Sequence, residues 1–238
     1  MFFVVKQRTL ALAGSLVLVV IGAVLYLPVF KSLPAFCVER QGRPVYVLDA
    51  GHGGEDGGAV SQDGVKESDV NLAITRDLDA VLCFLGRDTV LTRSGDVSIH
   101  SEGAETLRQK KVSDLKNRVE LVNGTPDAVL VSIHQNSLPS VPSVHGAQVF
   151  YGATAQSGEL ALSVQSALNE SVNRNHAKHE KQRDPSIYLM KHAACPAILV
   201  ECGFLSNVEE TKKLQIADYQ MTLAVAIAAG LLNTEETT

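Results

Sequence analysis

Apolar and polar positions along this chain alternate with two periods. The short apolar runs Val45-Tyr46-Val47-Leu48, Val129-Leu130-Val131-Ser132-Ile133 and Ala197-Ile198-Leu199-Val200 read as buried strands, and stretches with apolar residues every three or four positions read as helices. The pattern predicts strands over Arg43 to Leu48, Asp88 to Leu91, Val129 to Ile133, Gly146 to Tyr151 and Ala197 to Val200. It predicts a helix over Ser68 to Leu85, carried by Val70, Ile74, Leu78, Val81 and Leu85 and stopped at Gly86. A second, Val112 to Val122, turns Val112, Leu115, Val119 and Val122 inward and its basic residues outward; Leu160 to Val172 and Asp218 to Leu232 complete the set. Such alternation predicts an α/β fold, a mostly parallel twisted sheet with helices on both faces, in a single domain.

Three of these strands run into polar residues of chemical use. Val45-Tyr46-Val47-Leu48 leads to Asp49-Ala50-Gly51-His52-Gly53-Gly54, and Val129 to Ile133 leads to His134-Gln135-Asn136. Ala197 to Val200 exits at Glu201, followed by Cys202, Gly203 and Phe204. A carboxylate is costly to bury, so one at the exit of an apolar strand is usually aimed at a cation or a reacting group. In open α/β sheets ligands sit beyond the carboxyl ends of the strands, where this chain delivers two histidines and an acid. Loops Asp49 to Lys66, Ser94 to Thr106, Ser137 to His145 and Asn173 to Ser186 exceed the ~2 to 6 residues usual in αβ connections, which suggests a groove at one edge.

Hydrolytic zinc sites commonly take three protein ligands from His and carboxylate and keep a fourth position open. His52 and His134 suit such a site, and Glu67, opening the helix after the His52 loop, points back to the same edge. Each has a plainer reading: His52 as a turn residue, His134 as a core histidine, Glu67 as an acid favoured by the helix dipole. Glu201 reads as the general base, or as half of a salt bridge with Arg93 or Arg118. Other chemistries fail on spacing. Asp56 stands where a dinucleotide fingerprint needs its third glycine, no G-x-x-x-x-G-K-[ST] occurs, and no serine lies in a nucleophile elbow. His176 and His179 lie in a polar, basic stretch and read as solvated linker.

With 238 residues, 45% of them hydrophobic, the chain suffices for one good core once its N-terminus is set aside. A net charge of −5 and the lack of a basic run exclude general nucleic-acid binding. Leu10 to Phe30 is apolar and uncharged, long enough to cross the roughly 30 Å hydrocarbon layer, and Lys6 and Arg8 precede it. Residues 1–30 are therefore expected to be a membrane signal-anchor and 31–42 a tether, with the catalytic domain at 43–238. Lys31, Arg40 and Arg43 after the segment blur its orientation, and Phe36 spoils a lipoprotein box at Cys37. Cys195 and Cys202, about 20 Å apart along a strand, are expected to be free, and Cys83 to pack within a helix.

At these motifs the chain resembles the zinc-dependent N-acetylmuramoyl-L-alanine amidases of the Amidase_3 family. The resemblance spans about Val45 to Leu232 and rests on Asp49-Ala50-Gly51-His52-Gly53-Gly54 with Asp56 and Gly58-Ala59, on Lys66-Glu67, on Ser132 to Asn136, and on Val200-Glu201-Cys202-Gly203-Phe204-Leu205-Ser206-Asn207. It implies that His52, Glu67 and His134 bind Zn2+, that Glu201 is catalytic, and that the enzyme cleaves the amide between N-acetylmuramic acid and L-alanine in peptidoglycan. Ala50 replaces a common proline and Gln135 a frequent small residue, neither expected to touch a ligand. The anchor with one catalytic domain, together with Leu107 to Lys111, Gly146 to Tyr151 and Ser186 to Met190, is similar to the sporulation amidases that prepare spore-cortex peptidoglycan. That implies a catalytic domain outside the cytoplasmic membrane and coupling to a peptidoglycan deacetylase on the way to muramic-δ-lactam. The competing readings are a zinc peptidase of the stem peptide and a non-catalytic, membrane-anchored wall-binding protein.

Overall fold

The computed structural model describes residues 43–182 and 187–235. The expected anchor and tether, residues 1–42, lie outside them; among the described residues no single helix is long and apolar enough to cross a membrane.

The elements alternate as the hydrophobic pattern requires: β1 (Val45–Ala50), α1 (Glu67–Phe84), β2 (Asp88–Leu91), α2 (Leu107–Gly124), β3 (Ala128–Asn136), β4 (Gln148–Tyr151), α3 (Ala155–Ser171), β5 (Lys181–Gln182), α4 (Tyr188–His192), β6 (Ala197–Phe204), α5 (Val208–Leu214) and α6 (Ala217–Glu235). The six strands lie in the order β2-β1-β3-β6-β4-β5. Neighbours from β2 to β6 run parallel; β4 runs antiparallel to β6 and carries β5 parallel to itself. The mostly parallel α/β sheet is thus present, with a reversed edge.

Both faces of the sheet are covered, unequally. Tyr46, Leu48, Val131, Ile133, Ile198 and Val200 pack on α1, α3 and α6 through residues such as Ile74, Leu78, Val164, Leu168 and Ile227. Val47, Leu130 and Leu199 meet α2 and α4 through Val122, Leu189 and Met190. Local chemistry sets the helix starts. Thr106 and Gln109 close a reciprocal cap on α2, Thr154 caps α3, and Asn207 accepts from Glu209 and Glu210 at the head of α5.

Several sequence expectations shift. β1, β3 and β6 run two to four residues further than their apolar runs, so Asp49, His134 and Glu201 lie inside strands instead of beyond them. The ladder continues because the paired backbone groups of β1, β3 and β6 remain in register through these polar positions. The inward stripe of α1 is Val70, Ile74, Leu78 and Leu82, leaving Leu85 at 43% exposure, and Cys83 is exposed. In α2 Val122 is buried and Val119 packs beside it as expected, but Val112 is exposed and the charged Asp114 and Arg118 turn inward. The pairing of Arg118 with Asp49 and Asp114 is what makes that burial tolerable. The short elements β5, α4 and α5 carry too few residues for a periodic signal.

Candidate metal centre and active site

Glu67 occupies the first turn of α1, and the preceding loop fixes it there: its amide donates to the Ala59 carbonyl and that of Ser68 to Gly57. The carboxylate is turned into the sheet edge, 5% exposed. Its Oε2 accepts from the Ala59 amide at 2.8 Å and Oε1 from the Gln135 amide at 3.2 Å. The same two oxygens face the histidines, Oε2 lying 3.3 Å from His52 Nε2 and Oε1 2.8 Å from His134 Nδ1. The rings of His52 and His134 stand nearly perpendicular, centroids 5.1 Å apart. One ligand atom from each of His52, Glu67 and His134 lies within 4.8 Å of the others.

Close packing brings the three together. A Cβ on Gly51 would lie 2.3 Å from the His134 ring, so only glycine lets the β1 loop pass. At Gly58, φ is +69° and a Cβ would meet Glu67 Oε2 at 2.6 Å. His52 itself adopts φ of 63°, uncommon for a residue with a side chain. Two buried arginines hold that turn: Arg118 donates to the Ala50 and His52 carbonyls at 2.8 and 2.7 Å, and Arg93 to Ala50 and Gly51 at 2.9 and 3.1 Å. Arg118 in turn bonds Asp49 Oδ1 at 2.6 Å and Asp114 Oδ2 at 2.7 Å, while Ser132 donates to Asp49 Oδ2 at 2.6 Å. The arginines weighed as salt-bridge partners of Glu201 are therefore committed to the β1 turn.

Asp56 Oδ2 sits 3.0 Å from His52 Nδ1, leaving Nε2 toward Glu67, the usual arrangement of a carboxylate behind a metal-ligating histidine. Lys111 pairs with the same Asp56 oxygen at 3.0 Å. The site's field favours positive charge at its centre. Burial disfavours a charged His52 ring, yet the hydrogen bonds to Asp56 and Glu67 outweigh it and raise the pKa to about 9. Glu67 is likewise disfavoured as an anion by burial and nevertheless held below the usual carboxylate range by His134 and His52. Two imidazole nitrogens and a carboxylate at these separations fit the donor set of a catalytic zinc site.

Glu201 is the Cα partner of His134 across β3 and β6, so both side chains leave the same face of the sheet. It is 6% exposed. All four residues singled out from the sequence thus converge on one edge.

Compared with known proteins, residues 47–233 match the Amidase_3 family, described as N-acetylmuramoyl-L-alanine amidase. The chain belongs to that family. The amidase is 32% identical over 219 residues to the germination-specific N-acetylmuramoyl-L-alanine amidase of Bacillus subtilis, covering 89% of this chain and 91% of that one. Among solved structures it resembles the CwlD amidase of Clostridioides difficile in complex with the GerS lipoprotein, with TM-score 0.79 and 38% identity over 82% of this chain and all of that one (100%). An N-acetylmuramoyl-L-alanine amidase from Clostridium difficile 630 matches at TM-score 0.72 and 30% identity, covering 82% and 98% of the two chains.

Some residues of the site escaped the sequence reading. Asp49, Asp114 and Asn71 had no assigned role, and Asn71 donates to the Gly51 carbonyl at 3.1 Å beneath the histidine turn. The Gln135 backbone N–H donates to Glu67 Oε1, a contact the expectation did not foresee, whereas its side chain stays off Glu67 and donates to Asn71 Oδ1 at 3.2 Å. The available signal was Asp49 itself, an acid continuing an apolar run just as Glu201 does.

Proposed function

We propose that this peptidoglycan amidase is zinc-dependent and acts in spore-cortex maturation, where removal of the stem peptide from muramic acid precedes deacetylation and muramic-δ-lactam formation. The observation that carries the zinc assignment is the approach of His52, Glu67 and His134 within 4.8 Å beside Glu201. His52 Nε2, Glu67 and His134 would hold the ion. When bound, zinc in such a set supplies Lewis acidity that polarises the scissile carbonyl and acidifies a water. Glu201 takes a proton from the attacking water on its carboxylate and delivers it to the L-alanine nitrogen as the C–N bond breaks, leaving a muramic lactoyl carboxylate and a free peptide amine. Asp56 holds the His52 ring, and Arg93 and Arg118 hold its backbone.

The cortex role is supported by the similarity to the germination-specific enzyme of Bacillus subtilis. Because the similar CwlD amidase was solved with a lipoprotein, the reading extends to a lipoprotein partner here. Residues 1–30 anchor the chain, 31–42 form the tether, and the catalytic domain works outside the cytoplasmic membrane; a chain starting at Glu39 that stays insoluble without detergent would overturn the tether. Digestion of purified peptidoglycan tests the chemistry. Zinc-restorable, chelator-sensitive release of peptides with N-terminal L-alanine is expected. Cuts within the stem would instead identify a peptidase, and binding without cleavage a wall-binding protein.

A further inference from the structure

Beyond Glu201 on β6, a lysine rests against an aromatic ring. Between His134 and Asn136 on β3 there is one residue, whereas between their partners Glu201 and Phe204 on β6 there are two. This bulge resets the alternation, so Phe204 emerges on the same face as Glu201. The Lys178 ammonium lies over the Phe204 ring, 4.6 Å from its centroid. By the strand rise, Phe204 itself stands two ladder positions, about 7 Å, beyond Glu201 along the sheet.

The lysine is held there by its backbone. Asn169 Oδ1 accepts from the Lys178 amide at 3.0 Å and Asn169 Nδ2 donates to the Lys178 carbonyl at 2.8 Å. Next to it, Gln148, the β4 partner of Glu201, donates its side-chain amide to the His179 carbonyl at 2.8 Å. The side chain is partly buried, yet among the described residues no carboxylate stands within ion-pair distance of its nitrogen. The nearest acid in its field, Glu210, spends Oε2 on the amides of Gly146 and Phe204. A half-desolvated cation resting on an aromatic face has more to gain from an anion than one already paired in water.

We propose that Lys178 is a substrate-recognition residue that binds the carboxylate carried by the residue after L-alanine in the stem peptide. The inference rests on the amidase reading above. In peptidoglycan that residue is a glutamate joined through its side chain, so its α-carboxyl is free or amidated. In an extended peptide the carboxyl carbon lies roughly 6 Å beyond the scissile nitrogen, comparable to the two-position step from Glu201 to Phe204, the ring on which Lys178 rests. The muramoyl side of the bond offers no comparable anion, so the lysine reads the leaving peptide.

The experiment uses the full-length, zinc-loaded protein in detergent and two muramoyl-peptides differing only in whether this α-carboxyl is free or amidated. Wild type is expected to favour the free acid about tenfold in kcat/KM, the scale of one hydrogen bond to a charged group. Lys178→Gln should bring the ratio near one, chiefly through KM on the acid, and Lys178→Arg should restore it. Equal use of both substrates by wild type, or a Lys178→Gln ratio like that of wild type, overturns the assignment; a merely structural lysine would slow both substrates alike. Calorimetric binding of the same pair to Glu201→Gln, with and without Lys178→Gln, reads the preference without turnover. Absence of turnover with that binding preference intact would sink the amidase reading and leave the lysine standing.

Discussion

Arg118 donates to the main-chain carbonyl of His52 at 2.7 Å, tying a helix on one face of the sheet to the turn that presents the His52 ring. The same guanidinium is 2% exposed and paired with Asp49 and Asp114. Replacing it with methionine keeps bulk but leaves two buried acids without their cation, a loss of about 3 to 5 kcal/mol. Arg118→Met should unfold at markedly lower denaturant and bind zinc more weakly. Wild-type stability by urea titration would show that the buried network is dispensable.

Asp56 should be felt in metal affinity more than in folding. Its carboxylate orients His52 from 3.0 Å, and partners of that kind typically contribute 10- to 100-fold to affinity. Asp56→Asn is expected to weaken zinc binding within that range, read by competition with a chromogenic chelator. Unchanged affinity would mean that the loop alone sets the ring.

Gly51→Ala tests the close approach of β1 to β3. The new methyl would sit 2.3 Å from the His134 ring, too near for any real contact, so ring or loop must move. Metal affinity should fall while far-ultraviolet circular dichroism stays that of the wild-type fold. Full zinc occupancy at wild-type affinity would contradict this geometry.

Glu201→Gln preserves shape and hydrogen-bonding capacity but removes the proton acceptor. With His52, Glu67 and His134 intact, zinc stoichiometry should be retained, while peptide release drops about 10²- to 10⁴-fold, the usual size of a general-base contribution. Activity within threefold of wild type would make Glu201 structural.

Asp49 predicts part of the acid limb of stability. Burial alone would raise its pKa, but Arg118 and the Ser132 hydroxyl outweigh that and hold it below the ordinary value. A folded-state pKa below the unfolded value of about 3.9 stabilises the protein above that pH and is lost as pH falls through the folded value. Metal-free wild type should therefore lose stability more steeply below about pH 4 than Asp49→Asn, although the variant is less stable at neutrality. Parallel curves from urea titrations across that range would remove Asp49 from the account.

Sequence by itself determined the α/β class and the core strands, and picked out His52, Glu67, His134 and Glu201 as candidates that the fold then gathers at one edge, because each depends on local patterns: apolar runs, helical spacing, and polar residues where those runs meet loops. It misplaced what depends on distant partners. Arg118 read either as a solvent-facing charge on an amphipathic helix or as a partner of Glu201, since nothing within a few residues reveals that Asp49, 69 positions away, will neutralise it in the interior. The strands were cut short at Asp49, His134 and Glu201 because polarity marks a strand end only when no buried partner awaits it. The bulge after Glu201, which brings Phe204, with Lys178 over its ring, to the same face as Glu201, exists only as a mismatch in register between β3 and β6. Such a mismatch belongs to the pairing of two strands, so it emerged only when the sheet was assembled.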